Sequence, residues 1–91
     1  MNSPYKTTSV FTELTLPAAL RREHRTKAGA WGIIRVLEGE LKLSFPDGRT
    51  DRLNPDLPGL IRPEETHWVE PIGRMRMQVE FYDSEPNITR N

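Results

Sequence analysis

The sequence predicts an all-β domain built as a small sandwich or barrel, and three observations carry that prediction. Apolar and polar residues alternate with period two in Leu41-Lys42-Leu43-Ser44-Phe45 and again from Met75 to Tyr82, the signature of strands with one buried face. Eight prolines and six glycines divide the 91 residues into short pieces separated by turn signals. No window keeps a helical period beyond two turns. The one helix candidate, Leu16-Pro17-Ala18-Ala19-Leu20, is too short to stand alone.

Each element follows from local chemistry. Residues 20–28, rich in charge, suit an edge strand whose basic side chains discourage sheet-to-sheet pairing. Trp31–Leu37 is an apolar run broken by Arg35 and suits a strand covered on both faces. Gly39 separates it from the alternating run 41–45 and marks a tight turn or bulge. Pro46-Asp47-Gly48 is a turn: proline presets φ, aspartate bonds back to the backbone, and glycine accepts positive φ. Residues 54–59 form a loop leading into a short strand, Leu60–Arg62. Ile72-Gly73 turns the chain between His67–Glu70 and Met75–Tyr82, so these two segments are expected to form a hairpin. There is no internal repeat. One domain is expected over residues 7–84, between flexible tails at 1–6 and 85–91.

Composition narrows the function. Thirteen basic and thirteen acidic side chains give zero net charge, against a nucleic-acid binder or a ligand of anionic membranes. The absence of cysteine removes disulfides, thiol nucleophiles and thiolate metal sites. No apolar run approaches the roughly 20 residues that span a bilayer. The first residues lack a charged segment followed by an apolar one. A soluble, cytoplasmic domain is expected. A chain this short buries only roughly 60–65% of its unfolded surface, so a homodimer is the natural supplement to its core.

Three segments, residues 17–45 (PAALRREHRTKAGAWGIIRVLEGELKLSF), 63–71 (PEETHWVEP) and 78–83 (QVEFYD), carry a likeness. Its sharpest parts are Arg22–His24, Ala28-Gly29-Ala30-Trp31, Val36–Leu41 and His67–Glu70. Over about residues 12–83 the chain resembles the small cupin domain of the TehB/YeaR-like family, which occurs alone or ahead of a tellurite-resistance methyltransferase. The resemblance implies a cupin-like double-stranded β-helix, that is, a jelly-roll barrel. It further implies metal binding and an association with tellurite or other oxidative and nitrosative stress, without an agreed reaction. The residues contain no strand–GxG–helix unit for a methyl donor. They also depart from the wider cupin pattern. Counting back from Gly39, the places of its first ligands fall near Thr26, Ala28 and Gly32, none a good donor. His24 lies one pleat from Thr26 on the same face of a strand.

His24 and His67 are the only histidines. Neutral imidazole binds Zn, Ni or Fe, and two imidazoles with one carboxylate make a three-ligand site with an open position. Glu70 and Glu80 compete for the third place. Alternation puts Glu70 opposite His67 unless a bulge intervenes. With Pro71–Arg74 as a four-residue hairpin loop, His67 pairs with Gln78, and Gln78 and Glu80 share its face. Met75, Met77 and Val79 then fall on the other face, unless a bulge moves the register. The expected metal set is His24, His67 and Glu80, with Trp31, Gln78 and Glu70 around the pocket. Plainer readings stand beside these: histidines bonded to backbone, Trp31 and Trp68 as core, Arg21–Lys27 as a solvated edge or an oxyanion contact, and Glu64 and Glu65 as turn residues beside His67. The sequence thus predicts a small domain that holds a divalent metal and a small molecule or oxyanion. The alternative is a non-catalytic ligand-binding or regulatory homodimer without metal. No nucleophile with a recognisable base is present, so no reaction is read from the sequence.

Overall fold

A computed structural model describes residues 3–88 of the chain. Two long antiparallel strands dominate it, β4 (Trp31–Ser44) and β7 (Thr66–Tyr82), paired from Trp31↔Tyr82 to Ser44↔Trp68. At about 3.3 Å per residue a straight 14-residue strand would run about 45 Å, yet the longest extent of the molecule is 33 Å. Both strands must therefore bend. They do so together, at register shifts between Val36 and Glu38 and between Gly39 and Glu40.

The bend replaces the hairpin expected between His67–Glu70 and Met75–Tyr82. Ile72-Gly73 is not a chain reversal, because both halves of β7 pair with the same partner strand. Gly39 faces Met75 and Glu40 faces Ile72, which leaves Gly73 and Arg74 unpaired in the β4–β7 ladder. Gly39 (φ +79°) and Gly73 (φ +69°) both occupy the left-handed region that side chains with a Cβ avoid. Two unpaired residues on β7 leave its alternation in phase, so His67, Val69, Met75 and Met77 all point inward and are buried. On β4 the single residue Leu37 is skipped, and the phase flips. Ile34 and Val36 face inward before it, Leu41 and Leu43 after it.

Shorter elements complete the barrel. β1 (Lys6–Thr7), β2 (Phe11–Thr12) and β3 (His24–Arg25) pair with β7, while β5 (Thr50–Leu53) and β6 (Gly59–Ile61) pair with β4. The Pro46–Gly48 turn forms as expected: Phe45 N–H donates to Arg49 O (3.0 Å), Gly48 N–H to Phe45 O (3.1 Å), and Arg49 N–H to Asp47 Oδ1 (3.0 Å). The helix candidate is a single 3-10 turn, Ala18–Arg21, and only His24–Arg25 of the charged 20–28 segment is strand. The strand expected at 60–62 lies one residue earlier. β1, β2 and β5 had no alternating run long enough to announce them. The chain enters the sheet at Lys6, and the tails expected at 1–6 and 85–91 lie in part outside the described residues.

Leu41, Leu43, Leu53, Met75 and Met77 have no exposed surface at all and anchor the core between the two halves of the bent sheet. Burial of each such side chain contributes about 1.5–3 kcal/mol. Among the described residues no helix is long and apolar enough to cross a membrane.

Candidate functional site

β3 is two residues long, and its register on β7 sets His24 directly opposite His67. The imidazole centroids lie 4.1 Å apart with the planes tilted by 57°. Both rings are oriented by the same device. His67 Nδ1 is 2.8 Å from the carbonyl of Glu65, and His24 Nδ1 is 3.1 Å from the carbonyl of Arg22. A carbonyl oxygen only accepts, so each Nδ1 carries the hydrogen and donates. The neutral ring then presents Nε2 as a lone-pair acceptor. Among the described residues neither Nε2 has a protein partner, and no buried side-chain nitrogen or oxygen is sealed off without one. His67 is 4% exposed. Burial lowers its pKa below the usual histidine value; the Glu65 carbonyl works against that shift, and neighbouring His24 adds to it.

The turn before β7 holds β3 in place. Glu64 adopts φ +61°, an unusual conformation for a residue with a side chain. Arg25 Nε donates to the Glu64 carbonyl (3.0 Å), and Thr26 Oγ1 donates to the Arg62 carbonyl (2.7 Å). Glu65 closes the turn by accepting from Arg62 N–H at Oε1 (3.1 Å). These contacts carry the backbone carbonyl that orients His67.

The two histidines stand on the wall of a cavity of about 290 Å³ between the halves of the barrel. Its apolar lining includes Ile34, Ile61, Val69 and Met77, while exposed Lys6, Arg25 and Lys27 stand at its rim. No aspartate or glutamate lines it. Gly32 leaves space on the β4 side: a Cβ there would meet Ile61 Cβ only at 3.6 Å, an ordinary contact.

The other expected site residues lie elsewhere. Glu80 points to the outer face of β7, where its Oε1 accepts from Arg35 Nε (3.0 Å) and Tyr82 OH (2.9 Å). Gln78 lies opposite Arg35 on β4. Glu70 is exposed opposite Lys42, and Trp31 is half-buried opposite Tyr82. None of these four lines the cavity. The reason is phase: without a hairpin loop, Met77 and Val79 take the face that Gln78 and Glu80 were expected to share with His67. Lys6, Gly32 and Met77 were not anticipated at the site. The odd-numbered run Val69, Met75, Met77, Val79, in step with His67, was the signal in the sequence that could have found the last of them.

The three donors expected to hold a metal, His24, His67 and Glu80, do not come together in this structure. Among the described residues no group of three or more His, Cys, Asp or Glu side chains converges. Two imidazoles sharing a tetrahedral ion, with metal–nitrogen bonds of about 2.0–2.1 Å, hold their ring centres about 5 Å apart. The observed 4.1 Å is closer than that. The third ligand foreseen, Glu80, is held by Arg35 across the sheet.

Comparison with known proteins agrees with this architecture. The TehB-like domain family matches residues 6–79. The crystal structure of TehB from Haemophilus influenzae superposes with a TM-score of 0.80 at 29% identity, over 87% of this chain and 30% of that one. The chain thus spans about a third of the length of that relative. A crystal structure of a protein from Escherichia coli strain K12 superposes with a TM-score of 0.78 over 92% of this chain and 91% of its own; at 17% identity it shares the fold. No curated protein sequence matches. With most of its length matched by that one family, the chain belongs to the TehB-like domain family, a group associated with tellurite resistance.

Proposed function

We propose that this TehB-like domain is a non-catalytic binding module that takes a small molecule into the barrel cavity and uses the His24–His67 pair as its polar recognition element. The observation that carries this reading is the pair itself. Two imidazoles, each locked by a backbone carbonyl, offer free Nε2 acceptors on the wall of an otherwise apolar hollow. A polar pair in that position costs desolvation unless it meets water or a ligand. A cavity of this kind, apolar with few convergent polar groups, is the usual form of a small-molecule site. The family's association with tellurite resistance favours a role in handling a toxic oxyanion or a metabolite formed under that stress.

The test is a ligand screen by protein NMR with chelator present throughout, using small organic acids and tellurite, read at the methyl signals of Ile61 and Met77. Saturable shifts that persist with chelator and vanish in Gly32→Leu, which fills the hollow, support the reading. Signals that stay fixed across the whole screen sink it.

A further inference from the structure

We propose that the ligand of this cavity is an amphipathic organic acid with two distinct ends: a hydrogen-bond donor, O–H or N–H, that enters first and meets the histidine pair, and an anionic group that stays at the rim among Lys6, Arg25 and Lys27. This inference rests on the binding role proposed above and specifies what the site accepts.

Three features of the wall lead to it. The first is the sense of the internal polar group. Because both Nδ1–H groups donate to the carbonyls of Arg22 and Glu65, the polar surface that the histidine pair leaves for a ligand is an acceptor. Two imidazolium ions with centroids 4.1 Å apart, one of them buried, would repel, so the two rings do not both carry a positive charge. Burial further favours neutral His67. With both rings neutral, a ligand group that only accepts, such as an ionised carboxylate, finds no partner there, whereas a hydroxyl or amide N–H does. The second feature is charge. The rim carries three cations and the cavity no carboxylate. Arg25 is shared with Glu64 at 3.8 Å, while Lys6 and Lys27 make no ion pair among the described residues. An anion at the rim is therefore attracted, and a cation is not. The third feature is size and polarity. At about 30 Å³ per water-sized group the hollow holds about ten such groups, and apolar side chains line most of it. A bare inorganic oxyanion leaves that lining uncovered; a hydrocarbon or aromatic body fills it.

The probes are 4-hydroxyphenylacetate, which has both ends and an apolar body; phenylacetate, which lacks the donor; 4-hydroxyphenylethanol, which lacks the charge; and tellurite, which lacks the body. Binding to the full chain is measured by NMR at the imidazole and Ile61 methyl signals. 4-Hydroxyphenylacetate is expected to move both histidine rings. Its affinity is expected to drop about tenfold or more when the hydroxyl is removed, because the buried acceptors then go unpaired. A Lys6→Ala/Lys27→Ala variant, altered only at exposed positions, is expected to lose a similar factor and most of the salt dependence. His24→Ala, at a half-exposed position, gives a second readout if His67→Ala does not fold. Phenylacetate or 4-hydroxyphenylethanol binding as tightly as 4-hydroxyphenylacetate overturns this ligand class while leaving the binding role intact, and so does tellurite binding in its place. Silence of the cavity signals toward every probe overturns the class and the binding role together.

Discussion

Gly39 and Arg74 meet across the β4–β7 ladder with no space between them: a Cβ on Gly39 would collide with the Arg74 carbonyl oxygen and crowd Met75 Cα. This contact lies at the point where both long strands fold over to form the barrel. It makes the bend a matter of backbone against backbone, which cannot relax as a flexible side chain can.

Gly39→Ala is therefore expected to destabilise the fold by about 2–4 kcal/mol, from the left-handed φ together with the backbone collision. Gly73 has a similar φ but open space around its Cα, so Gly73→Ala is expected to cost only about 1 kcal/mol. Urea unfolding of the two variants side by side checks this. Equal losses would mean that the close approach contributes nothing.

Stability is expected to fall with acidity in the range just below pH 6.5. Unfolded His67 takes up its proton at about pH 6.5, whereas burial delays protonation in the folded protein to lower pH. Between those two points the unfolded chain binds more protons, so unfolding is favoured as pH drops. Above the unfolded value both states are neutral and the effect is absent. The slope of unfolding free energy between pH 7.5 and 5.5 measures it, and His67→Gln should flatten that slope.

Glu80 holds Arg35 and Tyr82 from one oxygen on the outer face, far in chemical role from the cavity. Glu80→Ala is expected to cost about 1–3 kcal/mol by leaving two half-buried or buried donors without their partner, lowering the melting temperature of a domain this size by several degrees. Binding in the cavity should not change. A variant of unaltered stability with lost ligand affinity would reverse that assignment.

Added Zn, Ni or Fe is expected to bind weakly, because the histidines alone cannot complete a three-ligand sphere and must first move apart by about 1 Å. Calorimetric titration should reveal no ion held more tightly in wild type than in Glu80→Ala. A tight site that needs Glu80 would mean that the outer-face geometry rearranges on binding.

Much of the architecture was legible in residue order. The alternation in 41–45 and 75–82, the Pro46–Gly48 turn and the tight turn or bulge marked by Gly39 all reappear in the fold. These are local properties, set by backbone conformation and by which side chains water expels. The two histidines, named from the sequence as members of one metal set, stand with their ring centroids 4.1 Å apart. The error at Glu80 and Gln78 arose from counting a four-residue hairpin loop where a two-residue bulge exists. In a structure with period two, that changes which face every later side chain occupies.

Residue order alone determined that this protein is all-β, lacks cysteine chemistry, carries balanced charge and has only two imidazoles to offer a ligand. The tertiary structure decided which neighbours those imidazoles have. Partners across a sheet come from distant parts of the chain, and one strand that bends in place of two that reverse sets Met77 on the cavity wall with His67 and sends Glu80 to Arg35. The physical reason is that strand register is a property of the closed barrel, where buried area and backbone hydrogen bonds are satisfied together, and no single segment contains that condition.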